Sequence, residues 1–207
     1  MRADPPIAAT LLAAGLGRRM GGVAKAALQF GGRSLLERLA AALRGAGVTE
    51  VSIVIGPYRD QLLPLAARCN LHVVEHGQAD ADLIESQRLA LDAHRARWPG
   101  ADLLLSVADL PLLTAAHVQP LLQAWRQRAD GIHAQMPVVD GVRGHPVLLS
   151  WHAVQAIAAT ERHHGIRAWL AANADTVSPV STHEGAYVTD VDTPEDLVAL
   201  TTHRALD

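Results

Sequence analysis

The chain has 207 residues, of which 49% are hydrophobic, 19% charged and 3% aromatic, enough apolar material for a sizeable core and far from a fibrous or disordered composition. A net charge of −3, with eleven neutral His and no long Lys/Arg run, excludes a nucleic-acid footprint. The single Cys69 excludes an intrachain disulfide and a Cys-based zinc site, which suits a reducing cytoplasm.

In chain order, residues 7–12 are the first expected strand. The apolar run 7–16 is not a secretory core, because Asp4, Pro5 and Pro6 precede it and Arg18-Arg19 follows instead of leading, the wrong order for Sec and twin-arginine signals. A glycine-rich loop then runs to Lys25. Residues 34–44 carry helical spacing, with Leu35, Leu36, Leu39 and Leu43 in one stripe, Ser34 as N-cap and Gly45 and Gly47 as breakers. Strands are expected at 51–55, 72–74, 103–107, 134–139 and 147–149. Helices are expected at 60–68, 85–97 and 114–128, the last capped by Thr114, and a closing helix at Thr193-Pro194. Segments 7–12, 51–55 and 103–107 are nearly continuous apolar runs, as strands covered on both faces are. Such alternation predicts right-handed βαβ crossovers in a Rossmann-like, three-layer α/β/α architecture with a mostly parallel sheet, in one domain over residues 1–207. No stretch approaches the ~18 apolar residues needed to cross a bilayer. A cytoplasmic protein without a membrane or nucleic-acid partner is expected.

The loop Leu11-Leu-Ala-Ala-Gly-Leu-Gly-Arg-Arg-Met-Gly-Gly-Val-Ala-Lys25 places Gly15, Gly17, Gly21 and Gly22 beside Arg18, Arg19 and Lys25. Glycines let backbone N–H groups close on a phosphate, and three cations match a triphosphate. A dinucleotide fingerprint fails because Met20 stands where a small residue is required, and a Walker A loop fails because Ala26 follows Lys25. Further on, the apolar run 103–107 is followed by Asp109 and Pro111. A carboxylate at the carboxyl end of a buried strand is suited to Mg²⁺, which takes one or two carboxylates plus phosphate oxygens. Asp190 and Asp192 are two apart, so in an extended strand they share a face. Glu195 and Asp196 are expected only to favour the helix dipole.

The stretch L-A-A-G-x-G-x-R-M-G-x-x-x-K over residues 12–25 resembles the signature loop of the MobA-like NTP transferase family. That family includes the molybdenum cofactor cytidylyl- and guanylyltransferases and is related to sugar-1-phosphate nucleotidyltransferases. The resemblance implies a nucleotide-diphospho-sugar transferase type of fold. It would lay Leu12, Ala13, Ala14 and Gly15 along the base and ribose, Gly17 and Arg19 near the triphosphate, and Lys25 on its phosphates. Asp109 of the D-x-P step resembles the family's metal-binding Asp. The segment Asp190-Val-Asp-Thr-Pro-Glu-Asp-Leu197 resembles its closing motif, with Asp192 as second metal ligand. Gly144-His145-Pro146 matches a G-H-P step of the cofactor-transferring branch, where the imidazole would donate to an acceptor phosphate or pterin.

Two segments depart from the family. Residues 80–88 replace a Gly/Ser-rich loop, keep only Ser86, and are unusually acidic. Residues 162–167 keep Gly165 and Arg167 of a G-D-x-G-A-R step but lose the Asp. His163 and His164 are adjacent, cannot share a helical face and have no carboxylate at ligand spacing, so a solvated turn is expected.

Together these readings predict an in-line transfer of a nucleoside monophosphate onto a phosphorylated acceptor, with Arg19, Lys25 and Asp109 catalytic and Mg²⁺ (Mn²⁺ as the alternative) on Asp109 and Asp192. The acceptor's own phosphate attacks, so no general base is required. Ala13-Ala14-Gly15 resembles the cytidylyl branch, which favours CTP and a molybdopterin acceptor. The alternatives are a sugar-1-phosphate nucleotidyltransferase, or a non-catalytic accessory protein that binds nucleotide and cofactor. Transient contact with a molybdoenzyme or its chaperone is also expected.

Overall fold

The computed structural model describes residues 5–77 and 82–204. β1 (Ile7–Ala13) is followed by two 3₁₀ turns, Arg18–Met20 and Lys25–Ala27, and by a small hairpin of β2 (Gln29–Phe30) and β3 (Arg33–Ser34). Then come α1 (Leu35–Gly45), β4 (Val51–Ile55), α2 (Arg59–Arg68), β5 (His72–Glu75), α3 (Leu83–Arg97) and β6 (Asp102–Val107). The second half runs α4 (Ala115–Arg126), β7 (Ala134–Val139), β8 (Val142–Arg143), β9 (Val147–Leu149), α5 (Trp151–Ala159), α6 (Ile166–Ala172), β10 (Val177–Thr182) and α7 (Pro194–Arg204).

The main sheet has the order β10-β7-β9-β6-β1-β4-β5, with β8 paired to β7. β1 is parallel to both β4 and β6, β4 to β5, and β7 to β10, while β9 runs antiparallel between β6 and β7. The sheet is therefore mixed but mostly parallel, as expected. Alternate residues of the buried strands feed two cores. Ala9, Leu11, Ile53 and Leu104 pack against leucines of α1, α2 and α4 on one face. Leu12, Val54, Leu103 and Leu105 pack against α3, α5 and α6 on the other. Continuous apolar runs arise because both faces are covered.

Helix ends follow their caps. Ser34 and Glu37 form a reciprocal capping box on α1. Asp82 and Glu85 form the same device on α3, so this helix begins at Leu83 and not at residue 85. The helix expected over 114–128 stops at Arg126. Buried Asp102 accepts from Trp125 Nε1 at 2.9 Å and from the Trp151 N–H at 2.8 Å, which fastens α4 and α5 to the start of β6.

This topology creates the site. From β1 the chain steps outward through β4 to β5, then α3 carries it back across β1 to β6. The carboxyl ends of β1 and β6 thus open a crevice where the strand order reverses, which is where ligands of open α/β sheets bind.

Candidate active site

Past β1 the backbone turns at Gly17, which has φ +55° and whose carbonyl accepts from the Met20 and Gly22 N–H groups at 2.9 Å each. A Cβ at Gly17 would lie 2.2 Å from the Val23 carbonyl oxygen, so no other residue fits without moving that strand of loop. Tyr58 Oη donates to the Leu16 carbonyl at 2.7 Å and braces the loop from α2. Gly15 differs: its φ is outside the left-handed range and its Cβ position meets no atom within 4 Å. Among the described residues nothing packs where a side chain would stand at Gly15.

Leu12, Ala13, Ala14, Gly15, Gly17, Lys25, Ser86 and Asp109 all line one open cleft of ≈ 240 Å³, a little below the ~300–1,000 Å³ common for ligand pockets. Asp82, Leu83 and Ala108 also line it, and the sequence did not single them out for that role. Their signal was the cap of α3: Asp82 and Glu85 in the acidic segment serve the helix N-terminus. Asp80 of that segment lies outside the described residues.

Ala14 is only 4% exposed, and its methyl points toward Gly56, where an added Cβ would come within 3.1 Å of it.

At the floor of the cleft Lys25 Nζ donates to Asp109 Oδ2 at 3.1 Å and, more closely, to Asp192 Oδ1. Exposed Arg19 places Nη1 2.6 Å from Asp192 Oδ2. Burial alone would lower the Lys25 pKa, but the hydrogen bond to Asp192 and the charge of Asp109 outweigh it and hold the ammonium above its usual range. One oxygen each of Asp109, Asp190 and Asp192 lie within 4.8 Å of one another. Asp109 Oδ1 is buried and has no hydrogen-bond partner among the described residues. An orphaned carboxylate oxygen beside two further carboxylates is a hard-oxygen donor set that fits Mg²⁺ or Mn²⁺.

Asp190 and Asp192 meet for a reason other than strand alternation, because residues 190–193 are irregular. Fully buried Val191 anchors the segment in a small core with Met20, Phe30 and Leu35, and its N–H donates to the Asp109 carbonyl at 3.2 Å. Both flanking carboxylates are thereby held beside Asp109. Burial, reinforced by Asp192 and Asp109, raises the Asp190 pKa. Asp196 accepts from the Asp192 and Thr193 N–H groups, the capping role expected of it.

Gly144 and His145 do not line the cleft; they lie behind it. A Cβ on Gly144 would meet the Tyr187 carbonyl oxygen at 2.6 Å, and the His145 N–H donates to that same carbonyl. Burial lowers the His145 pKa, against the opposing influences of the Leu105 carbonyl and Asp109. A neutral imidazole bonded to Leu105 leaves the enclosed Nδ1 as an acceptor.

The 161–164 segment is the exposed turn that was expected, but a carboxylate, Glu161, does sit beside the two imidazoles. Glu161, His163 and His164 are exposed, and a ligand atom from each lies within 4.8 Å of the others, because a turn, unlike a helix, can converge adjacent residues. Beneath it, Arg88 of α3 is buried and donates to the carbonyls of Ile157, Thr160 and His164.

Comparison with known proteins completes the picture. Residues 9–177 match the MobA-like NTP transferase domain. The chain belongs to this family. It is 30% identical over 204 residues to a nicotine blue oxidoreductase of Paenarthrobacter nicotinovorans, covering 95% of this chain and 97% of that protein. It is 31% identical to a molybdenum cofactor guanylyltransferase of Pseudomonas syringae pv. tomato, covering 70% of this chain and 66% of that protein. A nucleotidyl transferase structure from Methanothermobacter superposes with a TM-score of 0.79 at 19% identity, covering 98% of this chain and 99% of the other, and shares the fold.

Proposed function

We propose that this chain transfers CMP from CTP to the phosphate of a molybdopterin-type acceptor and releases pyrophosphate, with Mg²⁺ held by Asp109 and Asp192. The observation that carries this is the meeting of Asp109, Asp192 and Lys25 at the floor of a cleft walled by residues 12–15. Residues 12–15 and Ser86 of α3 bracket the base and ribose. Gly17 and the loop N–H groups follow the phosphates. Lys25 and Arg19 stabilise the negative charge that gathers on pyrophosphate as it leaves. A divalent ion bound to the carboxylates would neutralise the α-phosphate against attack by an anionic acceptor. No side chain is needed as base, since a phosphate monoester is ionised at neutral pH.

Cytosine is favoured because Ala13-Ala14-Gly15 resembles the loop of the cytidylyl branch. The guanylyltransferase relative makes GTP the direct competitor, and a sugar 1-phosphate is the competing acceptor. A second function is favoured by the end-to-end match to a protein named nicotine blue oxidoreductase: an oxidation or reduction carried out in the same cleft. Pyrophosphate release measured with CTP, GTP, UTP and ATP, with molybdopterin or sugar 1-phosphates, decides between them. CTP-dependent release with molybdopterin is expected; oxidation of NADH or NADPH without any pyrophosphate release would replace transfer by reduction.

A further inference from the structure

Three of the four carboxylate oxygens of Asp109 and Asp192 are already engaged by this chain's own cations. Lys25 bridges Asp109 Oδ2 and Asp192 Oδ1, and Arg19 holds Asp192 Oδ2. An ammonium and a divalent ion cannot both bond the same oxygen faces, and two cations a few ångströms apart repel. Lys25 has little freedom to retreat. It opens the Lys25–Ala27 turn, whose Ala26 is buried, and its side chain also lines the nucleotide cleft. The ammonium therefore has two anionic neighbourhoods in reach, the carboxylates behind it and the cleft in front. A bare divalent ion offers Lys25 and Arg19 no new partner. A triphosphate does, through several charge-assisted hydrogen bonds.

We propose that Lys25 is an internal counter-ion that makes metal and nucleotide binding interdependent, so that the site accepts a divalent cation as its triphosphate complex and discriminates against the free cation. Lys25 turns from the carboxylates to the phosphates as the complex enters, freeing Asp109 and Asp192 to ligate. Coupling of this kind is reciprocal: nucleotide tightens metal by the factor that metal tightens nucleotide. The proposal rests on nucleotidyl transfer, which supplies the triphosphate.

The test is Mn²⁺ binding followed by electron paramagnetic resonance, with and without non-hydrolysable α,β-methylene CTP, for wild type, Lys25→Met, Lys25→Gln and Asp109→Asn, each checked for folding by circular dichroism. In wild type, nucleotide should tighten Mn²⁺ by about tenfold or more. Lys25→Met should bind Mn²⁺ alone about tenfold more tightly than wild type and lose most of the nucleotide-induced gain. Lys25→Gln, which keeps length without charge, should follow it and substitutes for it if the Met variant does not fold. Free-Mn²⁺ affinity that is unchanged or weaker in the folded Lys25 variant overturns the counter-ion role while leaving nucleotidyl transfer intact. Asp109→Asn binding Mn²⁺ as tightly as wild type, with or without nucleotide, removes the metal site and the transfer function with it.

Discussion

Replacing Gly17 and Gly15 separately by Ala distinguishes a glycine required by the fold from one required by a ligand. At Gly17 the backbone has φ +55° and the new Cβ would sit 2.2 Å from the Val23 carbonyl oxygen. Holding an L-residue in the left-handed region costs about 1–2 kcal/mol. Relieving the clash sacrifices one or both hydrogen bonds that the Gly17 carbonyl accepts from Met20 and Gly22, about 1 kcal/mol each. The local penalty is then about 2–4 kcal/mol. Since each 1.4 kcal/mol is a factor of ten, nucleotide affinity should fall about 30-fold to several hundred-fold. The loop can distort without unfolding the sheet, so global stability should drop by a smaller amount, about 1–2 kcal/mol. Gly15→Ala meets no atom within 4 Å. It should leave stability within about 0.5 kcal/mol of wild type and still weaken nucleotide, because Gly15 lines the cleft. Urea unfolding and calorimetric titration with CTP read the two quantities. Nucleotide affinity within about threefold of wild type in Gly17→Ala would refute the assignment of this turn to the phosphates.

Other consequences are structural. Arg88→Met removes the donors that satisfy carbonyls at the end of α5 and in the following turn, and should lower unfolding free energy by about 2–4 kcal/mol. A urea-measured loss below about 1 kcal/mol would mean those carbonyls find water instead. Burial holds the His94 pKa below its ordinary 6.5, against the raising influence of the Ala101 carbonyl and Asp102. The unfolded chain therefore binds a proton near pH 6.5 that the folded chain refuses. Its stabilising share is present above that pH and is lost as pH falls below it. His94→Gln should flatten the decline in urea midpoint between about pH 7 and about pH 5; an unchanged slope assigns the decline to other groups.

Much of this arrangement was legible in the residues, and the gaps have physical causes. β4, β7 and β9 have the expected bounds, and for β4 burial on both faces left a nearly continuous apolar run. β10 escaped the reading; it mixes polar and apolar residues, carries Pro179 and lies at the sheet edge, where Pro is tolerated. Asp82-x-x-Glu85 is a capping box that was legible, yet its acidity suggested a changed base site. Asp190 and Asp192 fall together through the buried Val191 between them, a tertiary anchor that strand alternation only mimicked. Gly144 carries a loop-like sequence, but its reason is the Tyr187 backbone from a distant segment, which no local pattern can show.

The most direct measurement is CTP-dependent pyrophosphate release by folded Asp109→Asn against wild type, with molybdopterin as acceptor and Mg²⁺ present. Asp109 Oδ1 is a buried oxygen with no hydrogen-bond partner among the described residues, so the amide should fold normally while turnover falls by about a thousandfold or more. Turnover within about tenfold of wild type would contradict a metal held at this carboxylate.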